Sequence, residues 1–175
     1  MAQQAPIHYS IAEAQTLPLV RDILEESAQW LAQRGSPQWE PGSFTPAVVA
    51  AWQTDGVSLL AWQGARAIGT ITVGYAADPL WAALAGDAGY IYKIAVRRAV
   101  AGTGVSLGLL RAAEAHIVAR GKPLARLDCW LGNTALRAFY TASGYDLVGT
   151  ITEETWACAL FQRDLTPHSP GPSPE

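Results

Sequence analysis

Apolar positions along this chain follow two periods. Between Leu17 and Arg34, the positions Val20, Leu24, Ser27 and Leu31 recur at helical spacing with Ile23 and Trp30 beside them, which predicts a helix. Pro18 suits its first turn and Gly35 its stop. Thr45-Pro46 is an N-cap followed by proline at the first helical position, and a short helix follows to about Trp52. A helix from about Gly104 to Arg120 closes at Gly121, with Pro123 beyond it. Another begins at Gly132-Asn133, reaches Ser143 and stops at Gly144. The period-two runs Ile7–Ile11, Val57–Trp62, Ala67–Tyr75, Tyr90–Val96, Leu124–Leu131, Tyr145–Thr150 and Trp156–Leu165 read as strands, with Gln63-Gly64 as a hairpin turn. Ser36–Ser43 and Asp78–Asp87 read as loops, the second with one helical turn. Early hairpins followed by two strand–helix–strand units imply an α/β fold (an α+β mixed sheet). The sheet is mostly antiparallel with a parallel centre and carries helices on both faces.

One stretch carries chemistry. Tyr90–Val96 is a buried strand, Ala101–Ser106 is small and glycine-rich, and helical spacing begins at Val105. A strand feeding a glycine loop that opens a helix presents several main-chain N–H groups without helical partners, and the helix dipole favours an anion there. Phosphate binding is the expectation.

Composition narrows the class. Half of the 175 residues are apolar and the net charge is −3, which fits a folded domain and argues against a general nucleic-acid binder. The most apolar regions are interrupted by Asp78, Asp87, Lys93 or Arg97, so no membrane span is expected and the chain reads as cytoplasmic. Residues 1–166 read as one domain and 167–175 as a disordered Pro/Ser-rich tail. Cys129 and Cys158 read as small buried hydrophobes, and no metal site is expected. Most of the seven tryptophans are expected in the core.

Two motifs resemble one family. Ile94-Ala95-Val96, followed after four intervening residues by A-G-T-G-V-S at Ala101–Ser106, resembles the acyl-CoA motif of the GNAT N-acetyltransferases. Downstream, R-L-D-C-W-L-G-N-T-A-L-R-A-F-Y-T-A-S-G-Y at Arg126–Tyr145 resembles that family's strand–helix unit, with an Asn opening the helix and a Tyr seven residues on. The order of elements agrees with the family over roughly residues 7–165. Ala101 departs from the Gln or Arg usual there, and Ser106 from Gly or Ala.

The resemblance implies the GNAT fold and an acetyl-CoA-dependent N-acetyltransferase acting on a primary amine of a small molecule or peptide. The alternatives are a non-catalytic acyl-CoA-binding sensor and a transferase of longer acyl groups. It also implies roles. The main chain of Ile94, Ala95 and Val96 pairs with the pantetheine arm, and the Ile94 N–H meets the thioester carbonyl. The N–H groups of Ala101, Gly102, Thr103, Gly104, Val105, Ser106 and Leu107 hold the pyrophosphate. Asn133 contacts the cofactor arm, and Tyr140 protonates the leaving thiolate. For Tyr140 the other reading is a core aromatic, although Phe139 is the better core candidate.

The acceptor side is less defined. Trp30, Trp39, Phe44 and Trp81 lie in segments that surround the acceptor in this family, and Tyr90 and Tyr92 share one strand face. Some members carry a carboxylate base at the position of Tyr90. Its absence leaves a water chain to Glu40, Asp87 or Glu154, or no dedicated base. Asp128 reads equally as a pocket acid or as the partner of Arg126 or Arg137. Many members dimerise, and no feature of this sequence decides for or against a homodimer.

Overall fold

The computed structural model describes residues 5–36 and 38–167. The strands are β1 (Ile7–Ile11), β2 (Gly56–Gln63), β3 (Arg66–Gly74), β4 (Ala88–Val96), β5 (Leu124–Trp130), β6 (Asp146–Thr152) and β7 (Ala157–Asp164). The helices are α1 (Leu17–Ala32), α2 (Pro46–Ala51), α3 (Val105–Ala119) and α4 (Thr134–Ala142). These elements match the sequence expectation to within a few residues, including a single 3₁₀ turn, Pro79–Trp81, in the loop before β4. The tail assigned to 167–175 lies outside the described residues apart from Pro167.

All seven strands form one sheet in the order β1-β2-β3-β4-β5-β7-β6. Every pairing is antiparallel except the central one between β4 and β5. Alternation along each strand sorts the core into two layers. Leu59, Ala61 and Ile71 face α3 and join Leu109, Leu110, Ala113 and Ile117. Leu60, Ala67 and Ala95 point to the other face and meet Val20, Ile23, Leu24 and Ala28 of α1. Close approach of α3 explains Gly89, where a side chain would place its Cβ 2.5 Å from Cγ1 of Ile117.

Two departures position the site. The β4–β5 ladder covers only Ala88–Ile91 against Leu124–Leu127. Beyond it, β4 stays with β3 and β5 stays with β7, so the sheet parts between them. At the same level β4 carries a bulge: Thr70 pairs with Ala95 and Thr72 with Tyr92, so Ile71 opposes both Lys93 and Ile94. Lys93 adopts φ 52°, the sole positive φ outside glycine among the described residues.

The tryptophan expectation is corrected. Trp81 is buried, but Trp130 and Trp156 are exposed and the other four are half-buried. Trp130 lies beyond the ladder and Trp156 in the β6–β7 turn, where no second layer covers them.

Candidate active site

The glycine loop and the start of α3 provide donors. Gly102 and Gly104 adopt φ 78° and 90°, conformations that strain other residues. They turn the chain so that α3 begins at Val105 with Gly104 as N-cap. Among the described residues, the N–H groups of Gly102, Gly104, Val105, Ser106 and Leu107 have no acceptor. The next amide, Gly108, bonds the Gly104 carbonyl at 3.1 Å. The N–H of Ala101 instead meets the Arg98 carbonyl at 3.3 Å, and that of Thr103 the Val100 carbonyl at 3.3 Å.

Glu26 of α1 fixes the entry to this loop. Its carboxylate accepts from Arg97 Nη1 at 2.7 Å and from the Arg98 N–H at 2.8 Å. Burial pushes the Glu26 pKa up, but these hydrogen bonds outweigh it and hold the group below its usual value. Arg98 then lies 3.9 Å over the Trp30 ring, with Arg34 4.2 Å from the same ring.

A cavity of about 540 Å³ runs along these elements. Of the residues singled out for a cofactor, Ile94, Ala95, Val96, Gly102, Gly104, Ser106, Leu107 and Asn133 line it. Ala101 and Thr103 do not, and the Val105 side chain is buried in the core. Asn133 caps α4 by accepting from the Leu136 N–H at 3.0 Å, and it donates to Gln38 Oε1 at 3.3 Å. Trp30 belongs to this cavity, beside the loop.

A second cavity, about 220 Å³, fills the gap where β4 and β5 part. It adjoins the first at Ile94, Trp39 and Leu136, and it contains Tyr92, Lys93, Asp128 and Tyr140. Burial, with help from Cys129 and Asp128, pushes the Tyr140 pKa well up, so the phenol holds its proton. Tyr140 packs against Phe139, Tyr145 and Phe161 at 5.4, 6.2 and 5.7 Å, and it is the residue in the core. Phe139 is only half-buried and lines the larger cavity, the reverse of the sequence expectation. Adjacent helix residues do face different ways, but the tyrosine took the inner one.

Asp128 pairs with neither arginine. Arg126 is occupied by Gln162 and the carbonyls of Ala85 and Gly86, and Arg137 by the Leu131 carbonyl. Burial raises the Asp128 pKa, Asp78 adds to the rise, and Lys93 opposes it. Burial also lowers the Lys93 pKa against the pull of Asp128. Tyr92 donates to Asp78 Oδ2 at 3.1 Å. Tyr90 points elsewhere, packing 6.3 Å from Trp81 in a separate apolar cluster, and Phe44 is buried beneath α1. Glu40, Asp87 and Glu154 are exposed and line neither cavity, with Asp87 held by Lys122 at 2.6 Å. Lys93 was not singled out from the sequence. A lone lysine inside an apolar strand was the available signal.

Comparison with known proteins agrees with this architecture. The sequence profile of the acetyltransferase (GNAT) family matches residues 20–145. The uncharacterized N-acetyltransferase YesJ of Bacillus subtilis is 29% identical over 92% of this chain and 89% of its own. A GNAT-family acetyltransferase from Listeria monocytogenes superposes with a TM-score of 0.74 at 22% identity, covering 91% of this chain and 95% of that one. The PaiA N-acetyltransferase of Thermoplasma acidophilum, solved with coenzyme A, gives 0.72 at 15% identity over 91% and 99% of the two chains.

Proposed function

The chain belongs to the GNAT acetyltransferase family, and from that premise we propose that it moves an acetyl group from acetyl-CoA to a primary amine of a small molecule or peptide. The observation that carries this reading is the parting of β4 and β5 beside a cavity lined by a loop with five N–H groups unpaired among the described residues. The first leaves a strand edge for an extended amide-bearing arm. The second suits a pyrophosphate.

Acetyl-CoA supplies an activated thioester. The chain's residues do the rest. Main chain of Ile94, Ala95 and Val96 pairs with the arm, and the N–H groups of Gly102, Gly104, Val105, Ser106 and Leu107 take the phosphates. Ala101 and Thr103 shape the loop rather than donate. Arg98, stacked on Trp30, adds positive charge at the same mouth. Asn133 orients the arm from the start of α4.

Asp128 receives one proton from the substrate ammonium. The freed nitrogen lone pair forms the new C–N bond while the Ile94 N–H stabilises charge on the carbonyl oxygen. As the C–S bond breaks, Tyr140 delivers a proton to sulfur and regains one from the former amine nitrogen. The products are an amide, a thiol and one proton, which leaves through Asp128. Placing nitrogen against the thioester supplies most of the acceleration. The test is binding and turnover: acetyl-CoA should raise the melting temperature, and thiol should appear only when an amine is added. No shift with any acyl-CoA sinks the reading, and a shift without thiol from any amine favours the sensor.

A further inference from the structure

Lys93 and Asp128 border the same 220 Å³ cavity with opposite charges, yet no ion pair or hydrogen bond joins them. Neither side chain pairs with any other described charge. Burying ions without partners is costly, and folded chains ordinarily close such a pair on itself. Nearby, Asp78 is committed to the Tyr92 hydroxyl and the Leu80 N–H, and Arg137 gives Nη1 to the Leu131 carbonyl while its buried Nε has no partner among the described residues. The Lys93 ammonium has only the Trp39 ring, 5.9 Å away. A separated anion and cation in one small space match a ligand that carries a cation and an anion in the complementary order.

Resting on the transfer reading above, we propose that the acceptor is a zwitterion, an α-amino acid with an apolar side chain. Its ammonium sits on Asp128, beside Ile94 and Tyr140, and its carboxylate sits on Lys93. The bulge makes this arrangement available. In a regular strand Tyr92 and Lys93 would face opposite sides, but here both border the same two cavities. The second of these, about 260 Å³, is also lined by Ala51, Trp52, Thr72, Gly74 and Ala76, with Asp55 the one carboxylate among its lining residues, and it suits the apolar side chain. Burial holds the Lys93 pKa down in the protein alone, and a bound carboxylate would favour its charged form.

The test measures thiol release from acetyl-CoA with phenylalanine, leucine and methionine, each beside its decarboxylated amine. Wild type, Lys93→Met and Lys93→Arg are compared. Wild type should prefer the amino acid in kcat/KM by about 100-fold, the range for a buried charge contact. Lys93→Arg should keep that direction, and Lys93→Met should bring the ratio to about one or reverse it, as expected for loss of such a contact. Equal use of both members of a pair by wild type overturns the inference and leaves the transfer reading intact. So does a ratio that Lys93→Met does not move, or acetyl-CoA binding without acetylation of any amino acid. If no acceptor releases thiol and acetyl-CoA gives no melting shift, the transfer reading itself has failed. Should Lys93→Met not fold, the wild-type ratios and Lys93→Arg decide alone.

Discussion

Tyr140 and Tyr145 share one apolar layer with their rings 6.2 Å apart, yet removing their hydroxyls should have opposite consequences. In Tyr140→Phe the ring keeps its contacts with Phe139, Tyr145 and Phe161. Its hydroxyl bonds no described residue, so no protein hydrogen bond is lost and stability should move by less than about 1 kcal/mol. The rate should fall by roughly 10²–10⁴-fold, the range for a positioned general acid. In Tyr145→Phe the lost hydroxyl is a donor to Glu114 Oε1 at 3.0 Å. Glu114 is 6% exposed and keeps Arg111 and Arg163 at 2.8 and 2.9 Å. Losing one of its donors should cost about 1–2 kcal/mol, or roughly 2–8 °C in Tm for a domain of this size. Turnover should be unchanged, because Tyr145 borders neither cavity. Thiol release and thermal melting on the two variants suffice. A Tyr140→Phe enzyme that is destabilised like Tyr145→Phe and still turns over normally would refute the assignment and make Tyr140 a packing residue.

Two further outcomes are expected. Burial and Asp78 raise the Asp128 pKa while Lys93 lowers it, so kcat/KM should climb with pH as Asp128 deprotonates, above the usual carboxylate range. Lys93→Met should move that limb to higher pH and Asp128→Asn should abolish it, and an unmoved limb in Lys93→Met rules Asp128 out as its source. Glu26→Gln should raise the KM for acetyl-CoA roughly 2–5-fold with kcat nearly constant, as befits a partly exposed pair that orients a loop. Because the folded Glu26 pKa is depressed, its grip holds above the ordinary carboxylate value and is lost as pH falls through the folded one. Equal KM values for the variant and wild type would remove Glu26 from cofactor binding.

Much of the frame was legible because local signals agreed. Thr45 caps α2 by accepting from the Val48 N–H, and Asn133 caps α4 in the same way. The Ile94–Val96 strand and the Gly102–Gly104 loop lie together on one cavity. Where the reading fell short, the cause is tertiary. Period-two alternation placed Tyr90 and Tyr92 on one face, but the loop carrying Trp81 folded over Tyr90 and left only Tyr92 at the gap. Lys93 acquires its place from a bulge, which has no sequence period. Asp128 read equally as a pocket acid or as the partner of Arg126 or Arg137, and the sequence could not show that Gln162 on β7 sits opposite Arg126 and takes it. Trp30 lies beside the glycine loop because Arg98, pinned by Glu26, stacks on it there.

The short central ladder also bears on how the chain folds. Strands β1 to β4 each pair with a neighbour in sequence, as β6 does with β7, and β5 joins β7 across a single intervening strand. The β2–β3 and β6–β7 hairpins close short loops at low entropic cost, whereas β1 reaches β2 across residues 12–55, which hold α1 and α2. The parallel ladder joining the halves spans only four residues per strand and must wait for α3 to cross between them. Joining the halves therefore rests on the crossover through α3 and on the shortest ladder of the sheet. The seam that completes the fold is the same one whose upper end never zips shut.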